Sequence, residues 1–499
     1  MNRRSFLKST GTALAATSLP MAMLNAAGAS AQGIASTQLD FHPSLTPMRG
    51  FNGQDISCER AMVEGRIPAD LRGTFFRNGP GLFERGGQRY SHWFDGDGLV
   101  NAWRFSDKGV AHQARFVQTR KFIAEQRANE FLVPAFGSDI KAKMPIRSSD
   151  DMNTANTNVV RLGDRLLAMW EGGSATALDP DTLETRGLVT WAPELKSMPF
   201  SAHPKIEADG TFWNFGTFMG KMVIYHISAK GELLRHAVFD MPAVGMVHDF
   251  TVSQQHIIFV LPPIGIDYQA MREGRGIGQA MTWDANMPTK VLVIDKADFT
   301  KRRIIEMPAH MVFHFGNAWE ENNIIRVDYV KSKNLSIMNE WMPKLMRGER
   351  VVADSAHPAF LRIDLNKGRV DLSGLNDDVE FPRVDPRMVA RRNRSIYYPY
   401  ASSQQTGGLN GVMRLDVESG KTDRYSFGDS ATVEEHVFVP KPGSNREGDG
   451  YLIGAGFDIK RQQSFGTVFD GNNLAAGPMA MVRLPYWVPT CFHGHFYST

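Results

Sequence analysis

The chain has 499 residues, 42% hydrophobic and 22% charged, and its 56 basic and 53 acidic side chains leave a formal charge of +3. So much apolar material can bury a large core, which excludes disordered and fibrous classes. The near balance of charge gives no field that would draw nucleic acid. Length alone fits about three domains, but all-β folds of this size also occur as one unit.

The first feature in chain order is the opening "MNRRSFLKSTGTALAATSLPMAMLNAAGASAQG". Arg3 and Arg4, an Ala/Leu/Met-rich run and the terminal Ala29-Ser30-Ala31 follow the order of an export signal. The pattern resembles a twin-arginine signal over residues 1–31, cut after Ala31, with residues 32–499 delivered folded to a bacterial periplasm. No later run is long enough to span a bilayer. Cys58 and Cys491, the only cysteines, are too few for a disulfide framework or a thiolate metal site. Whether they bond to each other stays open at this level.

Next come "RNGPG" and "FDGDG", which read as architecture: Gly79, Gly81, Gly96 and Gly98 would permit unusual backbone angles, and Asp95 and Asp97 would bond turn amides. Residues 122–131 read as a helix. From there on, short apolar runs such as "RLLAMWEGG" and "HIIFVLPP" alternate with polar turns, which predicts strands. Hairpins ending in Asp recur at Asp179, Asp295, Asp364 and Asp416, which predicts an all-β propeller. Their intervals of 116, 69 and 52 residues require blades with unequal insertions. Residues 334–350 read as a Met-rich helix broken or kinked at Pro343. Beside a propeller mouth, its Trp341 and Met342 would line an apolar substrate entrance or rest on a membrane surface.

Four of the 14 histidines stand out: His203 in "FSAHPK", His248 in "MVHDF", His314 in "FHFGNAWEE" and His493 in "CFHGHFY". Each precedes or opens a strand. Ligands so widely separated form no local metal clip, but blades of a closed radial fold can each send one side chain to a common axis.

From "GRIPADLRGTFFRNGPGLFERGGQRYSHWFDGDGLVNAWRF" to the terminal "FHGHF", the chain resembles the carotenoid cleavage dioxygenases, a family that includes lignostilbene and apocarotenoid oxygenases. The resemblance implies a seven-bladed propeller holding one Fe(II) by His203, His248, His314 and His493. His495 is not a ligand position in the family pattern, although on a strand it would share a face with His493. The resemblance also implies glutamates that orient the imidazoles: Glu171 in "WEGG" with His248, Glu380 in "EFPRVDPR" with His314, and Glu435 in "EEHVFVP" with His493, where Glu434 competes. Glu171 reads as lying inside its apolar strand.

The implied reaction takes O2 and an apolar conjugated alkene, and breaks a C=C bond to give two carbonyls. It needs no side-chain acid, base or nucleophile, in keeping with the lack of GxSxG or HExxH. The stretch "RFVQTRKFIAEQRANEFLVPAFGS" resembles the apocarotenoid branch. In the stilbene branch a Tyr and a Lys grip a phenol. His112 stands where that Tyr is expected, and Lys141 and Lys143 are the Lys candidates. Lignostilbene-type cleavage is the runner-up. A non-catalytic propeller scaffold and a zinc hydrolase are the rivals from other classes, the latter disfavoured because four His ligands would close a tetrahedral site.

Overall fold

The alternating pattern becomes seven antiparallel sheets arranged as a propeller in a computed structural model that describes residues 34–35, 39–242, 245–273, 275–352, 356–403 and 408–499. The export signal expected over residues 1–31 lies outside the described residues. Blade 1 joins Gly73–Leu82, Asp97–Ser106, Gly109–Phe116 and Ile56–Cys58 to the last strand of the chain, His493–Ser498. Blades 2 to 6 follow in chain order, starting at Asn158, Lys205, Thr251, Met311 and the bridged segment 379–383. Blade 7 runs from Ala431–Pro440 to Ala480–Arg483 and is completed by the early strand Met62–Gly65. An early strand and the C-terminal strand therefore close the ring.

Closure depends on one glycine. His493 pairs with Asn78 and Gly494 with Arg77. A Cβ on Gly494 would lie 2.0 Å from the Phe76 carbonyl oxygen, so only glycine lets the terminal strand approach. The same reason replaces the expected role of the early glycines. Gly79 and Gly98 are not in the left-handed region. A Cβ on Gly79 would sit 2.5 Å from the Cys491 Cα, and one on Gly98 would sit 2.2 Å from the Ala155 oxygen.

The recurring aspartates are turn formers. Asp179, Asp295, Asp364 and Asp416 each accept hydrogen bonds from the backbone amides two and three residues onward, as does Asp458. Each interface between neighbouring blades is its own apolar layer; Trp213 and Phe215 of blade 3, for example, pack against Ile257 and Phe259 of blade 4. Packing between blades rather than one central core leaves the axis available for polar groups.

Both expected helices are shorter than the sequence pattern suggests. The first is Arg120–Ala128: the Thr119 hydroxyl caps it, and Asn129 ends it in the left-handed conformation at φ 49°. In the second, Ile337–Trp341 form a π-helical turn that passes into the α-helix Met342–Met346. Pro343 falls in the first turn of that α segment, where its missing N–H is tolerated. A third helix, Tyr268–Arg272, begins at the Asp267 cap. Among the described residues no helix is long and apolar enough to cross a membrane.

Candidate metal centre and cavity

Each of the seven blades delivers one residue to the axis. Blades 3, 4, 5 and 1 supply His203, His248, His314 and His493 from, or just before, the strand at the inner edge of each sheet. Blades 2, 6 and 7 supply Glu171, Glu380 and Glu435. All four histidines are buried, and one ring nitrogen from each falls within 4.8 Å of the others. The Nε2 atoms of His203 and His248 are 3.0 Å apart, and those of His248 and His314 are 3.2 Å apart. Four imidazole nitrogens converging at these separations fit a single transition-metal ion.

The opposite ring nitrogens meet the carboxylates. His248 Nδ1 lies 3.1 Å from Glu171, His314 Nδ1 lies 2.5 Å from Glu380, and His493 Nδ1 lies 2.9 Å from Glu435. A proton shared on Nδ1 leaves the Nε2 lone pair for a metal. Burial, and then the neighbouring imidazoles, hold His203 well below the ordinary histidine range. Burial also keeps His493 well below it despite Glu435, whereas at His248 the Glu171 carboxylate outweighs burial and raises the ring. Neutral rings are the form that binds metal.

Local backbone irregularities aim these groups. Strand Met311–Glu321 shifts register on both sides of Phe315, next to His314. Strand Ala431–Pro440 shifts between Val433 and His436, which lets Glu434 and Glu435 depart from simple alternation. Phe381, at φ 52°, is held in the left-handed region with its ring stacked on His314 at 5.0 Å.

Above the quartet lies a cavity of about 1150 Å³. Its wall includes Phe94, Phe136, Trp170 and Phe313, and His248, His314 and His493 reach it. Trp341, Met342 and Lys141 line it as well. On the other side of the quartet is a polar space of about 30 Å³, lined by His203, Lys205, Asp249, Arg383 and His495. His495 is absent from the converging set.

Three sequence expectations need correction. His112 is buried in blade 1, bonded to the Tyr486 hydroxyl at 2.9 Å and the Asn101 amide oxygen at 3.1 Å, and it does not reach the cavity. Lys143 pairs with Glu130 on the surface, drawn outward by that carboxylate. Glu171 is not inside a strand: Arg165–Met169 ends two residues earlier, and the Gly172-Gly173 turn carries Glu171 towards the axis. The two cysteines are both free thiols.

Several groups at the centre were not anticipated. Arg77, in the motif read as architecture, is fully buried and bonds Glu435 at 2.7 Å and Glu434 at 3.0 Å. Arg383 donates to the other Glu435 oxygen at 2.8 Å, and the Gly494 amide donates at 2.9 Å. Asp249, next to His248, accepts from the Phe250 and Phe315 amides and pairs with Lys205 at 2.8 Å, tying three ligand-bearing blades together. Its place in "HDF" was the signal. Asp97 bonds Lys121 at 2.7 Å and pairs with Arg85, and Asp95 accepts from the Gly137 amide; neither simply closes its own turn.

Fold and centre together define a seven-bladed propeller with a four-histidine site fit for one metal ion beneath an apolar cavity. The profile of the retinal pigment epithelial membrane protein family, RPE65, matches residues 51–498. The chain belongs to this RPE65 or carotenoid cleavage oxygenase family, and it is an oxygenase. It is 32% identical to apocarotenoid-15,15'-oxygenase of Synechocystis over 91% of this chain and 96% of that protein. It is 28% identical to lignostilbene-alpha,beta-dioxygenase isozyme III of Sphingomonas paucimobilis over 91% of this chain and 95% of that one. Its fold matches a crystal structure of cobalt-substituted Synechocystis apocarotenoid oxygenase with a TM-score of 0.83 and 28% identity, over 93% of this chain and all of that chain.

Proposed function

We propose that the protein is a non-haem iron(II) dioxygenase that cleaves one C=C bond of an apocarotenoid with O2. The observation that carries this reading is the apolar cavity of about 1150 Å³ that reaches the imidazole quartet. Ordinary small-molecule pockets span about 300–1000 Å³, so this one has room for a long polyene. The balance is simple: the alkene and one O2 become two carbonyl fragments, with no co-reductant and no net proton change.

His203, His248, His314 and His493 would hold the ion, and iron(II) there would supply the activation of O2. The chain does the rest. Glu171, Glu380 and Glu435 keep the Nδ1 protons in place and so fix the direction of each Nε2 lone pair. Phe313 and Trp170 in the wall exclude water and restrict how a conjugated chain lies across the quartet. Nothing in the reaction calls for a general acid or base. A second reading, cleavage of a hydroxystilbene, draws support from Lys141 in the wall and from the Sphingomonas relative.

The same proposal covers location. The N-terminal motif supports twin-arginine export to a periplasm, and Lys at both Arg3 and Arg4 should hold the precursor in the cytoplasm; normal export of that variant would contradict it. Phe218, Met219, Tyr268, Met271 and Ile277 are exposed and also line the cavity, which supports peripheral contact of its mouth with a membrane where apolar substrates dissolve.

Metal analysis tests the centre. One iron per chain is expected, lost in His248→Ala and kept in His495→Ala. Stoichiometric zinc, with activity that survives iron chelation, would overturn the reading.

A further inference from the structure

The register shift in Ala431–Pro440 sends two adjacent acids to different tasks. Glu435 turns to His493, whereas Glu434 enters the wall of the large cavity. Around it that wall is built from Leu409, Thr432, Val433 and Phe457 of blades 6 and 7. A carboxyl in such a wall costs free energy unless it is bonded. Arg77 bonds it at 3.0 Å through Oε2, the Cys491 backbone amide also faces it, and the same guanidinium is met by Glu435 at 2.7 Å. With Arg383 also on Glu435, the two guanidiniums and two carboxylates balance, and of the two acids Glu434 lines the large cavity whereas Glu435 does not.

We propose that Glu434 is a specificity-determining residue, the hydrogen-bond partner of a hydroxyl group on the end of the substrate that lies against blades 6 and 7. This rests on the alkene-cleavage reading and narrows it to hydroxylated substrates. Two sources carry that group: a hydroxylated terpenoid ring on an apocarotenoid, and a phenol on a stilbene.

Binding to the iron-loaded mature protein, followed by tryptophan quenching, separates them. The probes are a ring-hydroxylated apocarotenal against its deoxy analogue, and 4-hydroxystilbene against stilbene. One pair should show the hydroxylated member bound about tenfold more tightly, the contribution of a hydrogen bond to a charged group; which pair does so identifies the source. In Glu434→Leu that preference should fall to within about twofold, with deoxy binding little changed and iron retained. Glu434→Gln, which keeps hydrogen-bonding oxygen and the Arg77 contact, should restore most of it. A wild-type protein with no preference in either pair, or a preference that survives Glu434→Leu, overturns the proposal. So does equal weakening of both members in that variant, which would mean support of Arg77 only. Turnover is read separately: a hydroxyl preference without cleavage of any probe would strike the dioxygenase reading and leave the role of Glu434 standing.

Discussion

Glu435→Gln is the sharpest probe of how the centre is held. The glutamine has the same shape but no charge, and it must face four donors: His493 Nδ1, Arg77, Arg383 and the Gly494 amide. Its amide oxygen can satisfy one side, but its NH2 would confront a guanidinium. Arg77 and Glu435 have side-chain exposures of only 1% and 2%, so solvent screens little of the loss. Breaking a buried pair costs about 3–5 kcal/mol, and here Glu434 remains as partial compensation, so about 2–3 kcal/mol is expected. Loosening His493 should also weaken iron binding about 10- to 100-fold. Glu171→Gln is the contrast, because Glu171 is 23% exposed and meets His248 alone among these groups. It should weaken iron binding with little loss of stability. Iron affinity by chelator competition and thermal unfolding of the iron-free proteins measure the two effects. Wild-type stability and affinity in Glu435→Gln, or a larger stability loss in Glu171→Gln, would refute the reasoning.

Acid should expose His310. Burial lowers its imidazole to about 4, where it lies between the Pro308 carbonyl and the Tyr329 hydroxyl. The folded value lies below the unfolded one of about 6.5, so the unfolded chain binds the extra proton. The contribution is full above about pH 6.5 and is lost as pH falls towards 4, by at most about 1.4 kcal/mol per unit. The stability difference between wild type and His310→Gln should therefore shrink between pH 7.5 and 4.5, and a pH-independent difference would sink the argument. At the cavity, Trp341→Glu should raise KM for a long apocarotenal roughly tenfold while affecting a compact stilbene much less, because the longer ligand buries more apolar surface. Equal losses would make the segment Ile337–Met346 merely structural.

What could be read in the sequence depended on whether chemistry or three-dimensional approach set the residue. The four histidines stood out because each lies in its own short motif at the start of a strand, and a radial fold is what brings such distant residues together. The turn aspartates were legible for a local reason, since each bonds amides two and three residues away. Arg77 was not, because its partners Glu434 and Glu435 lie more than 350 positions onward. Nor does a strand pattern reveal where its register will slip, and that slip separates the tasks of Glu434 and Glu435. His112 suited a binding role by position in a motif, but its strand turns it inward to Asn101 and Tyr486. The early glycines were recognised as special for the wrong cause: Gly79 and Gly98 admit neighbouring backbone, and Gly81 and Gly96 admit the side chains of Leu99 and Phe83, rather than a left-handed turn.

The most direct test of the account is the fate of the oxygen atoms. In a short reaction under labelled O2, with exchange into water controlled, the iron-loaded protein should convert an apocarotenal or hydroxystilbene into two carbonyl fragments that both carry label. Label in only one fragment would contradict cleavage by addition of both oxygen atoms.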